Sequence, residues 1–343
     1  MASRTALSAF RRPVCSRAVS LFTASKPQSA AATRLSATTS VRFYQSTAPP
    51  SSAKTLSSDA LVQANPLRQA FTRLRKSGTA STAEERRNQA SLGMWQMLPG
   101  ANVSRALART PGIDWVLVDC EHGAIDDAQM HTAVPVIAAE GASPIVRIPD
   151  FQPWMVKRAL DSGAHGILAP LIRTVDEVKA FVSACKFPPE GIRGFGSPLA
   201  MQGFRIQDEK GRQHPVALPT FTEYLDQANS SVVTMVQIET REALENVEAI
   251  APLVDALFVG PFDLANNLGH PIRDGVFPAE VKDAMKRVLA AAQSVDTCCC
   301  GVYAGTPEQA RDYAAQGFHM MNVVTDVLTL QAAANDAVRA VRA

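Results

Sequence analysis

The sequence predicts an α/β chain folded as a (β/α)8 TIM barrel. Eight short apolar runs alternate with helical patterns over about 270 residues, the cadence of that fold. Polar side chains of catalytic type collect where those runs end, and in such a barrel the strand ends share one face. No glycine fingerprint follows the first run, which counts against an open, doubly wound nucleotide-binding sheet.

Residues 1–58 hold eight basic residues and no acid, with many Ser, Ala and Thr. That composition marks a mitochondrial transit peptide and not a folded segment. Arg42 lies just upstream of a cleavage site after Tyr44, so residues 1–44 are expected to be removed in the mitochondrial matrix. Residues 45–64, with Pro49-Pro50-Ser51-Ser52, read as a disordered linker, and the barrel is expected over 65–343.

Leu67, Phe71 and Leu74 recur at helical spacing, and Gly78 ends that helix. Strands are expected at 92–97, 114–119, 143–148, 166–170, 232–238, 256–260, 298–303 and 319–324. Helices are expected at 126–139, 153–162, 175–185, from 241, and at 280–293, 307–316 and 325–341. A long polar stretch fills 186–230. Connections of that length are usually functional, so it is expected to act as a lid or an interface arm.

The formal charge of +2 conceals two parts. Beyond the basic leader the chain is mildly acidic, so no nucleic-acid partner is expected. No apolar run has the length of a membrane span, so no membrane partner is expected either. The six cysteines form no ligand pattern. Cys298-Cys299-Cys300 lie along a strand whose neighbours face opposite ways, which disperses the thiols instead of caging a metal.

The strand ends carry the chemistry. The second run, Val116-Leu117-Val118-Asp119-Cys120-Glu121-His122-Gly123, ends in two acids and a histidine. Asp119 and His122 are three apart, so the carboxylate is expected to orient the imidazole. The third strand ends at Arg147, the fifth at Gln237 and Glu239, and the sixth runs into Gly260-Pro261-Phe262-Asp263. Two carboxylates on adjacent strands suit a hard divalent cation. An arginine suits an enolate or carboxylate, and the set suits chemistry alpha to a carbonyl. Each residue also has a structural reading. Asp119, Glu239 and Asp263 could cap helices, Arg147 could pair with Asp150, and Gln237 could fill the barrel.

In their order and spacing, Leu117–His122, Pro144–Arg147, Pro188-Pro189-Glu190-Gly191-Ile192-Arg193-Gly194, Val236–Thr240 and Gly260–Leu264 resemble the HpcH/HpaI family of metal-dependent pyruvate aldolases. The resemblance runs from about Asn65 to the end and takes in macrophomate synthase as a relative. It implies a phosphoenolpyruvate/pyruvate-binding barrel and an aldehyde-lyase. Such an enzyme cleaves a 4-hydroxy-2-oxoacid to pyruvate and an aldehyde through a metal-bound pyruvate enolate. Glu239 and Asp263 would bind Mg²⁺, Mn²⁺ or Co²⁺. Arg147 would stabilise the enolate, and His122, oriented by Asp119, would relay protons. Gln237, Gly260, Pro261 and Phe262 would contact the 2-oxoacid. A homo-oligomer, a hexamer with an exchanged C-terminal helix, is also implied. Oxaloacetate decarboxylation, macrophomate synthase-like enolate chemistry and a catalytically silent binding protein are the alternatives. The stretch 197–226 is longer than in bacterial members and is expected to reshape the acceptor pocket. Phe262 is expected to narrow the site.

Overall fold

The structure is a computed structural model that describes residues 57–76, 82–204, 206 and 218–343. The leader 1–44, the first part of the linker and the charged tip Asp208-Glu209-Lys210 lie outside those residues. Within residues 55–343 the eight strands close into a parallel barrel in sequence order.

Three helices lead in: α1 (Ala60–Gln63), α2 (Pro66–Lys76) and α3 (Ala83–Gln89). The linker therefore ends earlier than expected. Ala60 and Leu61 are buried, and the Leu61 N–H donates to Gln227. Apolar burial and a satisfied backbone tie this turn down where composition suggested disorder. The barrel begins with β1 (Ser91–Gln96), α4 (Ala101–Ala108), β2 (Trp115–Asp119) and α5 (Asp127–Ala139). It continues through β3 (Ser143–Arg147), α6 (Pro153–Asp161), β4 (Gly166–Ala169) and α7 (Val175–Cys185). The expected polar stretch ends in a helix, α8 (Phe221–Ser231), before β5 (Val233–Ile238). Two short helices, α9 (Arg241–Glu245) and α10 (Val247–Ile250), precede β6 (Ala256–Val259). Then come α11 (Pro261–Leu268), α12 (Ala279–Gln293), β7 (Cys299–Val302), α13 (Pro307–Gln316), β8 (Met320–Thr325) and α14 (Asp326–Arg342).

The period-two alternation of strand side chains sorts the core into two shells. Trp95, Trp115, Leu117, Ile145, Leu168, Met235, Phe258 and Met320 fill the barrel interior. Val116, Val118, Val146, Ile167, Val236, Leu257 and Cys300 face the surrounding helices. Cys299 belongs to the inner set and Cys298 and Cys300 to the outer, so the thiol run is split as its spacing predicts. Gly93 is required inside: a Cβ there would fall 2.0 Å from the Trp115 ring.

α2 plugs the amino ends of the strands. Its Leu67 and Phe71 join the inner core. Beside it, α1, α8 and the segment 187–206 form a separate apolar cluster around Phe187, Phe204 and Tyr224. A connection from helix to strand lies at the amino ends of the strands. The described flanks of 197–226 do so: Ser197 bonds to Asp161 and the Gly203 carbonyl to His165. These flanks are anchored on the face opposite the catalytic strand ends, while residues 207–217, on which the expectation of a reshaped acceptor pocket falls, lie outside the described residues. Among the described residues no helix is long and apolar enough to cross a membrane.

Candidate active site

Each side chain at the carboxyl ends arrives by the same logic. A strand that fills the interior with alternate residues carries that column one step further, to the barrel mouth. Ile145 leads to Arg147, Leu117 to Asp119, and Met235 to Gln237 and Glu239.

Register then pairs them. Asp119 lies directly beside Arg147 across β2 and β3. The buried Asp119 carboxylate accepts from Arg147 Nε at 2.9 Å and Nη2 at 2.6 Å, and from Trp95 Nε1 at 3.0 Å. It also accepts the backbone N–H groups of Glu121 and His122, both at 3.1 Å. Burial alone would raise the Asp119 carboxyl, but Arg147 and Trp95 hold it below the usual carboxylate range. The expected Asp119–His122 ring pairing is therefore corrected. Asp119 fixes the backbone of the His122 turn and clamps the guanidinium. The His122 side chain is 60% exposed, with Nε2 3.7 Å from Glu121 Oε1.

Arg147 is buried and its plane lies over the Trp95 ring, 4.9 Å from the centroid. It donates to Gln237 Oε1 at 3.3 Å, and its Nη1 stands 2.9 Å from Glu121 Oε2. That last contact lacks hydrogen-bond alignment, so Glu121 Oε2 remains a buried oxygen without a bonded partner. Gln237 Nε2 donates to Glu239 Oε2 at 2.6 Å, and Glu239 Oε1 accepts from the Leu171 N–H at 2.7 Å. One polar chain thus runs across five strand ends, from Trp95 through Asp119, Arg147, Gln237 and Glu239 to Leu171.

The structural readings of these acids fall away. Asp126 caps α5, Thr240 caps α9, and α11 begins at Gly260 without a side-chain cap. Asp263 sits in the first turn of α11, exposed at the mouth. Its charge, with that of Glu121, reaches Glu239. Burial first, and those two carboxylates after it, push Glu239 up to about 7. Burial likewise raises Glu121 despite Arg147.

These features fit a divalent cation. Asp119, Glu121 and Glu239 share a single guanidinium, Asp263 adds its charge to Glu121 and Glu239, and a carboxylate raised by burial and like charges is relieved by a positive ion. Space is kept beside it: a Cβ on Gly260 would fall 2.3 Å from Glu239 Oε2. Among the described residues no three His, Cys, Asp or Glu side chains form a metal cluster by themselves. Glu239 and Asp263 are the pair the chain offers, leaving positions for water and substrate oxygens. The described lysines Lys76, Lys157, Lys179, Lys282 and Lys286 are on helices and Lys186 follows α7, none at a strand's carboxyl end.

Sequence reasoning missed Trp95 and Leu171. Trp95 was findable as the last inward residue of β1. Leu171 acts through its backbone N–H, which has no sequence signal. Phe262 packs at the rim against Tyr303 and Phe277, with centroids 6.2 and 6.4 Å away, and does not lie across Glu239 in any described contact.

The fold and mouth define a pyruvate-binding barrel enzyme with acid-rich strand ends. The family model for HpcH/HpaI aldolase/citrate lyase matches residues 92–333, and the chain belongs to that family. It is 37% identical over 256 residues to 2-dehydro-3,6-dideoxy-6-sulfogluconate aldolase of Pseudomonas putida, covering 73% of this chain and 92% of that one. It is 33% identical to hydroxypyruvate/pyruvate aldolase of Paraburkholderia phytofirmans, at 73% and 92% coverage. The crystal structure of macrophomate synthase superposes with a TM-score of 0.67 at 26% identity, over 80% of this chain and 89% of the other. The protein is a class II pyruvate aldolase, a carbon–carbon lyase.

Proposed function

We propose that the enzyme cleaves a 4-hydroxy-2-oxoacid to pyruvate and an aldehyde with a divalent cation, Mg²⁺ or Mn²⁺, held by Glu239 and Asp263. The observation that carries this reading is the buried Arg147, locked by Asp119 and facing the mouth among an excess of carboxylates. The cation, when bound, acts as a Lewis acid toward the keto group. Arg147 is preorganised to stabilise negative charge on the oxygen of the departing pyruvate enolate. The C4 hydroxyl gives up its proton, the C3–C4 bond breaks, and C4 becomes the aldehyde carbonyl. His122, exposed at the rim beside Glu121, takes that proton and returns one to the pyruvate carbon. The start of α11, where Gly260 and Pro261 lead into the free N–H groups of Phe262 and Asp263, offers a helix N-terminus to the 2-oxoacid carboxylate.

Pyruvate release assayed over a panel of 4-hydroxy-2-oxoacids and oxaloacetate tests this reading. Cleavage abolished by EDTA and restored by Mg²⁺ or Mn²⁺ is expected. Inactivation by borohydride in the presence of pyruvate, with EDTA having no effect, would overturn it. Higher kcat/KM on oxaloacetate would favour the decarboxylase reading, which shares the enolate. Failure to bind divalent metal or 2-oxoacid by calorimetry would favour the silent binding protein.

α14 supports an oligomer. Leu330, Val338 and Val341 are exposed on one face of this helix, and Asp326 is its only buried residue. An apolar stripe of that kind suits exchange with a second copy in a hexamer. Light scattering of wild type and of Leu330→Glu checks it. Residues 1–44 support delivery to the mitochondrial matrix, which N-terminal sequencing of the mature protein checks.

A further inference from the structure

Among the described residues, two that are not glycine adopt positive φ: Asp274 and Leu171, both at 50°. Aspartate tolerates that region because its short side chain bonds locally. Leucine has no such compensation, and a left-handed leucine marks a position held by its surroundings. Leu171 follows Pro170 at the carboxyl end of β4, on the catalytic rim. Its N–H meets Glu239 Oε1 at 2.7 Å, while Gln237 occupies Oε2. The carboxylate is held from both sides.

That accounts for the backbone but not for the side chain. Glycine would adopt the same φ without strain and keep the same N–H. The Leu171 side chain is 39% exposed and belongs to neither barrel core shell, so packing within the chain does not explain it. Its place is the rim of the mouth, beside Glu239 and on the face that also carries Trp154 and Phe262, themselves 60% and 50% exposed.

We propose that Leu171 does two things at once. Its backbone positions Glu239, and its side chain forms an apolar wall for the carbon chain of the acceptor aldehyde. The proposal rests on the aldolase reading for the second part only. The first part is a statement about cation binding and stability.

Three variants separate the parts. Leu171→Gly and Leu171→Ala keep the N–H, so Mn²⁺ affinity by calorimetry stays within about threefold. Leu171→Gly also raises the melting temperature of the EDTA-treated protein, by relief of strain. Replacing Leu171 with its α-hydroxy acid removes only the N–H, and Mn²⁺ affinity should fall about tenfold. Unchanged affinity in that ester variant would overturn the positioning role. Loss of apolar contact in Leu171→Ala should lower kcat/KM for butanal relative to glycolaldehyde, in aldol addition to pyruvate, by about tenfold or more. An unchanged ratio would overturn the specificity role. Absence of aldol turnover with either aldehyde would count against the aldolase reading, while the calorimetry still decides the positioning role.

Discussion

The two ends of this barrel are made from the same eight strands, but only one of them balances its own charge. At the amino ends, Arg68 donates to both oxygens of Asp255, with Nη2 to Oδ2 at 2.9 Å, and to the Val232 and Ser231 carbonyls. Thr234 completes the Asp255 shell through its N–H and hydroxyl. Asn65 ties the start of α2 to His165 and Ser231. The buried Arg68–Asp255 pair is thus neutralised and hydrogen-bonded within the chain. At the carboxyl ends, three carboxylates share one guanidinium with Asp263 beside them, a buried oxygen of Glu121 has no bonded partner, and Leu171 holds a left-handed turn. The first end spends its polar groups on stability. The second leaves a deficit of positive charge, and that deficit is what a cation and a 2-oxoacid can fill.

The largest expected effect comes from breaking the one link common to charge and catalysis. Arg147→Ala leaves Asp119 and Glu121 buried without a cation. It should lower kcat/KM by roughly 10³-fold and destabilise the fold by about 3–5 kcal/mol. Steady-state kinetics and denaturant melts check both; a large activity loss without a stability loss would show that Asp119 finds other partners. His122→Ala should act on turnover alone, roughly 10²–10⁴-fold in kcat with little change in KM. The side chain is exposed, so stability should hold. Near-normal kcat with a lowered melting temperature would reduce His122 to a brace for its loop. Arg68→Ala is the mirror experiment at the settled end. It should cost about 3–5 kcal/mol by stranding Asp255, while the folded fraction keeps its kcat.

The contrast also explains what could be read in advance. Buried parallel strands are continuous apolar runs, so all eight were legible to within a residue or two. Two of the helices that escaped notice carry a start signal in the sequence. α3 buries no residue and is held by the Thr82–Glu85 capping box, and α8 begins with another at Thr220–Glu223. That Thr-x-x-Glu pattern was available in both places. α11 opens on Gly260-Pro261, which reads as a turn until its N1 proline is recognised. Among the site residues, types and positions were legible but partners were not. Asp119 was assigned to His122 because they are three apart in sequence. In a sheet the closest neighbour is set by register, and register puts Asp119 beside Arg147. Sequence spacing cannot supply that, because it depends on how β2 and β3 align.

Acid titration should separate the ends by sign, with the smallest effects of the set. At the amino ends, His165 is buried and His319 half-buried, and desolvation pushes both rings down to about 4, His319 with some help from Arg75. Geometry agrees for His319, whose Nδ1 accepts the Cys300 N–H and so carries no proton; His165 Nε2 donates to the Gly203 carbonyl, and burial lowers this ring against that bond. The unfolded chain protonates these histidines near pH 6.5, well before the folded one does. Their stabilisation is therefore complete above pH 6.5 and is lost as pH falls toward 4, by roughly 3 kcal/mol each at most. Glu239 has the opposite sign. Its carboxyl stands at about 7 in the folded chain against 4.5 as the ordinary value, so the metal-free fold binds the extra proton. Its contribution is complete below pH 4.5 and is lost as pH rises toward 7. Melts of EDTA-treated protein between pH 4 and 7 should show this in two variants. His319→Gln should flatten the acid-side loss, and Glu239→Gln should flatten the loss toward neutrality. If both variants change the profile with the same sign, the two ends do not differ in the way their charges are arranged.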